Sequence, residues 1–163
     1  MRLELTRRSD YALRAMLVLT RQPEETLSST EIAALTHIPV RFVTQVMAHL
    51  VRAGLVRAVI GRSGGYRLLM PSGKVSVLAI VEAVEGDTRR QHCAIRGGQC
   101  LRGAPCEVHA VFADAQEAFV SRLAATSLAT VISVDAESEA GEGTESEVRK
   151  DLSPIAVQPA AEG

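Results

Sequence analysis

Every thiol in the chain falls within fourteen residues. The stretch CAIRGGQCLRGAPCEVH, residues 93–109, holds Cys93, Cys100 and Cys106, with His109 three positions after the last. Three thiolates and an imidazole in one short segment make up a set that can hold structural zinc. A cysteine and a histidine one helical turn apart also suit nucleophilic catalysis. Structural zinc sites favour close cysteine pairs, about two to four residues apart; the gaps here hold six and five residues. No other feature suggests a substrate pocket or oxyanion donors, so the chain is not expected to be an enzyme. An odd number of cysteines argues against a closed disulfide framework. Gly97, Gly98, Gly103 and Pro105 fit a loop that wraps backbone around an inorganic core, and Arg96 and Arg102 either offset its negative charge or are simply solvated.

The rest of the chain must position that loop. Its 163 residues suit one domain and a tail. Hydrophobic residues make up 47% and aromatic residues 3%, so an Ala/Leu/Val-rich helical core is expected. No apolar run approaches the length of a membrane span. The early apolar run ALRAMLVLT is interrupted by Arg14 and leads into no small-residue cleavage site, so a cytoplasmic protein with reduced thiols and no membrane partner is expected.

The formal charge of −1 hides an asymmetry. Residues 135–163 carry eight acids and two bases, a net −6, whereas residues 1–134 carry sixteen bases and eleven acids, a net +5. The tail is poor in large apolar residues and rich in Glu, Ser, Gly and Pro, a composition that predicts disorder. A basic body is suited to a polyanion such as double-stranded DNA, or to solvent alone.

Local signals divide the body into elements. Thr6 or Ser9 can cap a helix through DYALRAMLVLTR, ending near Arg21 before Pro23. Ser28 and Glu31 form a capping box at the head of STEIAALT. After the turn HIP, Pro39 can open VRFVTQVMAHLVRA, which Gly54 would end. Within that helix Val43, Val46, Met47 and Leu50 share one stripe, leaving Arg41, Thr44, Gln45, Ala48 and Arg52 on other faces. Two short helices joined by a tight turn form a helix-turn-helix or an ordinary helical hairpin. In the first case Arg41, Thr44 and Gln45 are candidates to contact DNA, and Ser28 and Ser29 join them from the head of the preceding helix.

LVRAVI, GRSGG and YRLLM then read as two strands around a Gly-rich turn, with Arg62 at its tip placed for a minor groove or a phosphate. VSVLAIVEAVEG reads as a short helix leading into the cysteine stretch. The last helix, about 107–125, carries Val108, Val111, Phe112, Ala115, Ala118 and Phe119 at helical spacing. That stripe can pack on its own domain or pair with a second copy, and pairing is the reading adopted. The fold class is therefore mainly α with a small β-hairpin wing: a winged helix-turn-helix domain plus a long dimerisation helix.

The start MRLELTRRSDYALRAM, the wing GLVRAVIGRSGGYRL, the three-cysteine loop and the end DAQEAF…TSLATV together resemble the Rrf family of winged-helix transcription regulators, in its IscR/NsrR-like iron–sulfur sensors. The resemblance covers residues 1–134. It implies a homodimeric, DNA-binding regulator, read as a repressor, with Cys93, Cys100 and Cys106 as ligands of an iron–sulfur cluster, 2Fe-2S or 4Fe-4S. For the fourth ligand it leaves open His109, at the Cys-x-x-His spacing, Asp10, supplied from the partner subunit, and a small molecule or no ligand at all. Nitric oxide, redox state and iron supply are the signals it implies. A zinc-stabilised DNA-binding module without a sensing role is the alternative. The chain departs from the family pattern at three points: the first cysteine gap holds six residues rather than five, Ile60 stands where many members have Arg before the first wing glycine, and Thr44 stands where IscR has Glu.

Overall fold

A computed structural model describes residues 5–88 and 107–133, with the first three residues of the last helix described as backbone only. Cys93, Cys100, Cys106 and the acidic tail lie outside the described residues. The elements follow in the order α1 (Arg7–Arg21), α2 (Ser29–Thr36), α3 (Val40–Arg52), β1 (Val56–Val59), β2 (Gly65–Leu68), a 3-10 turn (Ser72–Lys74), α4 (Val77–Glu85) and α5 (Glu107–Ala125). This is the helical, single-hairpin architecture that the sequence predicts.

The caps explain the boundaries. The Thr6 hydroxyl accepts from the Ser9 amide at 3.2 Å and starts α1. Ser9, the other candidate, is instead buried inside the first turn. At α2 the capping box is complete: Ser28 Oγ accepts from the Glu31 amide at 3.2 Å, and Glu31 Oε2 accepts from the Ser28 amide at 2.7 Å. Those bonds satisfy two N–H groups that the helix start would otherwise leave unpaired. His37 closes α2 in the left-handed region, with φ of 56°. A non-glycine residue there is uncommon, though histidine is among the types that tolerate it. That reversal aims Ile38 into the core and delivers Pro39 to the head of α3.

Gly54 sits one position past the α3 cap, Ala53, with φ of 71°. Its amide donates to Val51 O at 3.0 Å, and the Leu55 amide donates to Leu50 O at 3.0 Å. This paired closure is the Schellman arrangement, which glycine makes at least strain.

The core forms where the helical stripes meet. Ala12, Ala15, Met16 and Leu19 of α1 pack with Ile32 of α2, with Val43, Val46, Met47 and Leu50 of α3, and with Ile80 and Val84 of α4. Leu128, just beyond α5, completes the cluster. Its amide donates to Val75 O at 2.9 Å, and the Val77 amide donates to Thr126 O at 2.9 Å, so the segment after α5 is laced to the start of α4.

The hairpin pairs antiparallel, Val56 opposite Leu68 and Val59 opposite Gly65. A further link ties it to the helices. Leu27, immediately before the α2 cap, exchanges backbone hydrogen bonds with Tyr66, at 3.0 and 2.8 Å. The approach is so close that a Cβ on Gly65 would lie 2.4 Å from Leu27 O. The hairpin's position is thus fixed from within the helix-turn-helix.

Candidate nucleic-acid interface and the anchors of the cysteine loop

The α3 stripe that fills the core leaves a polar face outside. Arg41, Thr44, Gln45, Ala48 and Arg52 are all exposed. Thr44 Oγ1 donates to Val40 O at 3.1 Å, which turns its donor back into the helix. Arg52 Nε donates to Ala48 O at 3.3 Å. The Arg41 guanidinium lies 4.7 Å from the centre of the Phe42 ring, a cation–π contact. Phe42 in turn packs against Tyr11 at 5.7 Å. Gln45, exposed on the same face, carries an amide with both donor and acceptor, the group that can pair two-fold with an adenine edge.

The hairpin tip carries the second set. The Gly64 amide donates to Gly61 O at 3.0 Å, and Gly61 has φ of 135°. A Cβ on Gly64 would meet Val59 O at 2.5 Å, so the turn requires glycine there. Arg62 stands exposed at this tip, beside the fully exposed Ile60. Ser28 is held in the capping box, and Ser29, the first residue of α2, is half-buried. The structure thus places Arg41, Thr44 and Gln45 on one helix face, Ser28 and Ser29 at the head of α2, and Arg62 on a separate element.

A cavity of about 400 Å³ adjoins the α3 face. Arg7, Arg8 and Tyr11 of α1 line one wall, and Phe42, Gln45, Val46 and His49 line the other. Gln45 belongs both to the outer face and to this cavity. The sequence reading did not single out Arg7 or Arg8; their doublet in TRRSDY was a visible signal.

The end of α4, from which the chain enters the cysteine-bearing segment, is well defined. Glu85, the last residue of α4, accepts from the hydroxyls of Thr6 and Ser9, the latter at 3.0 Å. Arg8 Nη1 donates to Val84 O at 3.1 Å. The end of α4 is therefore bonded to the first turn of α1, and α1 packs on α3. Asp10, half-buried on α1, accepts from Arg14 Nε at 2.9 Å. His109 falls in the first turn of α5, described as backbone. Among the described residues no group of three or more His, Cys, Asp or Glu is placed to hold a metal ion. Cys93, Cys100 and Cys106 fall in sequence between α4 and α5, outside the described residues.

On α5, Val111, Phe112 and Phe119 are 68%, 38% and 45% exposed, while Val120 on the adjoining face is buried. Among the described residues the Val111, Phe112 and Phe119 side chains of the stripe stand partly open to solvent. No described helix is long and apolar enough to cross a membrane.

Two short helices with a tight turn, a polar outer face on the second, and a glycine-turned hairpin laced to them define a winged helix-turn-helix regulator. The chain belongs to the Rrf2 family, iron-dependent transcriptional regulators, whose profile matches residues 5–134. It is 33% identical over 123 residues to the HTH-type transcriptional repressor NsrR of Streptomyces coelicolor, a match covering 74% of this chain and 82% of that one. The fold is similar to that of CymR, the global cysteine regulator of B. subtilis, with a TM-score of 0.71, 22% identity, and coverage of 82% of this chain and 98% of that one. It is also similar to T. potens IscR, with a TM-score of 0.69, 23% identity, and coverage of 83% and 90%. The chain is a DNA-binding transcriptional regulator and not an enzyme.

Proposed function

We propose that the chain is a cytoplasmic, homodimeric repressor whose operator binding is controlled by an iron–sulfur cluster, held by Cys93, Cys100 and Cys106. His109, or Asp10 of the partner subunit, would supply the fourth ligand. The cluster, when bound, supplies a centre that changes with redox state, nitric oxide or iron supply. The observation that carries the reading is the confinement of all three thiols to the segment between α4 and α5. The start of that segment is bonded to α1 through Glu85 and Val84, and α1 packs on the helix that presents Gln45. Its end runs into the helix whose partly exposed stripe of Val111, Phe112 and Phe119 suits a second copy.

One sequence segment thus adjoins both determinants of operator fit: the setting of α3 and the spacing of two copies. Half-sites one DNA turn apart require recognition helices about 34–36 Å apart, so a small change in either determinant would lose contacts at both half-sites. Arg41, Thr44, Gln45, Ser28 and Ser29 would enter or border the major groove, with Arg62 of the wing against phosphate or the minor groove. Residues 1–134 form the regulator, and residues 135–163 an acidic tail outside it.

The test is to purify the protein without oxygen, record its visible spectrum and measure bound iron and zinc. The reading expects a coloured, iron-loaded protein, with colour lost on replacing any one of Cys93, Cys100 and Cys106 by Ser. A colourless protein carrying zinc would replace it with a zinc-stabilised module.

A further inference from the structure

We infer that the cavity between α1 and α3 is a seat for a phosphodiester of the operator backbone, with Arg7, Arg8 and Tyr11 as the residues that hold it. The inference rests on the DNA-binding reading above and adds α1 to the surface that meets DNA.

The cavity borders the reading face, because Gln45 lines both. An α-helix with its side chains is about 10–12 Å across, and the major groove is about 12 Å wide. A helix seated there has a sugar–phosphate strand along each flank. The flank of α3 toward α1 is this cavity.

Its chemistry suits that strand. Every polar side chain in the lining can donate a hydrogen bond, and none is a carboxylate. Arg7 is exposed, and no described carboxylate pairs with it. Arg8 is oriented by its bond to Val84 O, which leaves the rest of its guanidinium for a ligand. Tyr11 is fixed by its ring contact with Phe42, so its hydroxyl has a set direction. Phe42 and Val46 make part of the α3 wall apolar, as suits the face of a deoxyribose beside its phosphate. A guanidinium fork on a phosphate is the strong, two-bond form of this contact.

The consequence concerns register. Phosphate contacts position a reader on the duplex without carrying sequence. Because Arg8 also bonds the last turn of α4, the seat is held by the same residue that anchors the start of the cysteine loop.

The experiment is a fluorescence-anisotropy titration of the full-length protein against its selected operator and a scrambled duplex, over a series of KCl concentrations. Arg7→Ala is expected to weaken both duplexes by the same factor and to reduce the salt slope by about one, the signature of one lost phosphate contact. Its deficit relative to wild type should shrink roughly threefold between about 50 and 200 mM salt. Arg7→Lys should restore the slope. Tyr11→Phe, which keeps the ring packing, should weaken both duplexes with the slope unchanged. Gln45→Ala should alter the preference between duplexes and keep the slope. Wild-type affinity and slope in both Arg7→Ala and Tyr11→Phe would overturn the seat, including if the cavity takes a small organic anion instead. A wild type that does not distinguish the two duplexes would instead defeat the operator reading itself.

Discussion

Replacing Gly65 with alanine should detach the wing from the helix-turn-helix. The new Cβ would lie 2.4 Å from Leu27 O, 2.5 Å from Leu27 C and 2.8 Å from Ser28 N, all backbone atoms. Ordinary contact begins at 3.4 Å, so β2 and the Leu27 segment must separate by about 1 Å. That movement stretches the two Leu27–Tyr66 hydrogen bonds, now 2.8 and 3.0 Å, past useful length. Two lost backbone bonds at about 1 kcal/mol each, with the residual crowding, give a cost of about 2–4 kcal/mol. In urea unfolding, with a slope of about 1–3 kcal/mol per molar, the midpoint should fall by roughly 1–2 M. Gly73→Ala is the control, because nothing lies within 4 Å of a Cβ there, and its midpoint should hold. DNA affinity of the folded Gly65→Ala protein should also fall, since Arg62 rides on the displaced hairpin. A midpoint equal to wild type would refute the reasoning that the bridge fixes the wing.

Three further outcomes are expected. The Ser28 hydrogen bonds hold the Glu31 carboxyl below the usual carboxylate range, so the folded state binds fewer protons than the unfolded state as it titrates. Glu31 therefore stabilises above the unfolded pKa and loses that effect as pH falls through the lowered folded value. Urea midpoints of wild type and Glu31→Ala should differ at pH 7 and converge in acid. Ser28→Ala should lower stability by about 1 kcal/mol through loss of the cap, read by the same unfolding curves. Removing residues 135–163 should leave dimerisation and operator binding intact by light scattering and gel shift, because the tail's acidic composition offers no core.

Much of this architecture was legible because its signals are local. The Ser28–Glu31 spacing, the stripe of Val43, Val46, Met47 and Leu50, and the glycines of GRSGG each act within one or two turns of chain. Of the two capping candidates for α1, Thr6 takes the role and Ser9 is buried in the first turn, while Gly54 ends α3 one position past the cap residue Ala53. What the sequence did not disclose is pairing at a distance. The Leu27–Tyr66 and Ser76–Ser127 bridges, and the bonds from Thr6, Arg8 and Ser9 to the end of α4, join residues that no periodicity relates. The cavity beside Gln45 exists only once α1 lies against α3. For α5 the stripe was visible, and its exposure in the single chain is what the structure adds. The cysteines were legible by type and confinement, which name a class of chemistry and leave the fourth ligand to experiment.

If the cysteine-bearing segment acts as a sensor, its state must set operator affinity. The most direct measurement is an anaerobic anisotropy titration of one operator duplex with iron-loaded and iron-free wild-type protein side by side, repeated with the Cys93→Ser, Cys100→Ser and Cys106→Ser variants. The account predicts that the two wild-type forms differ in affinity and that each variant matches the iron-free form and ignores nitric oxide or oxidant. Equal binding by the loaded and iron-free wild type, across salt and signal conditions, would contradict it.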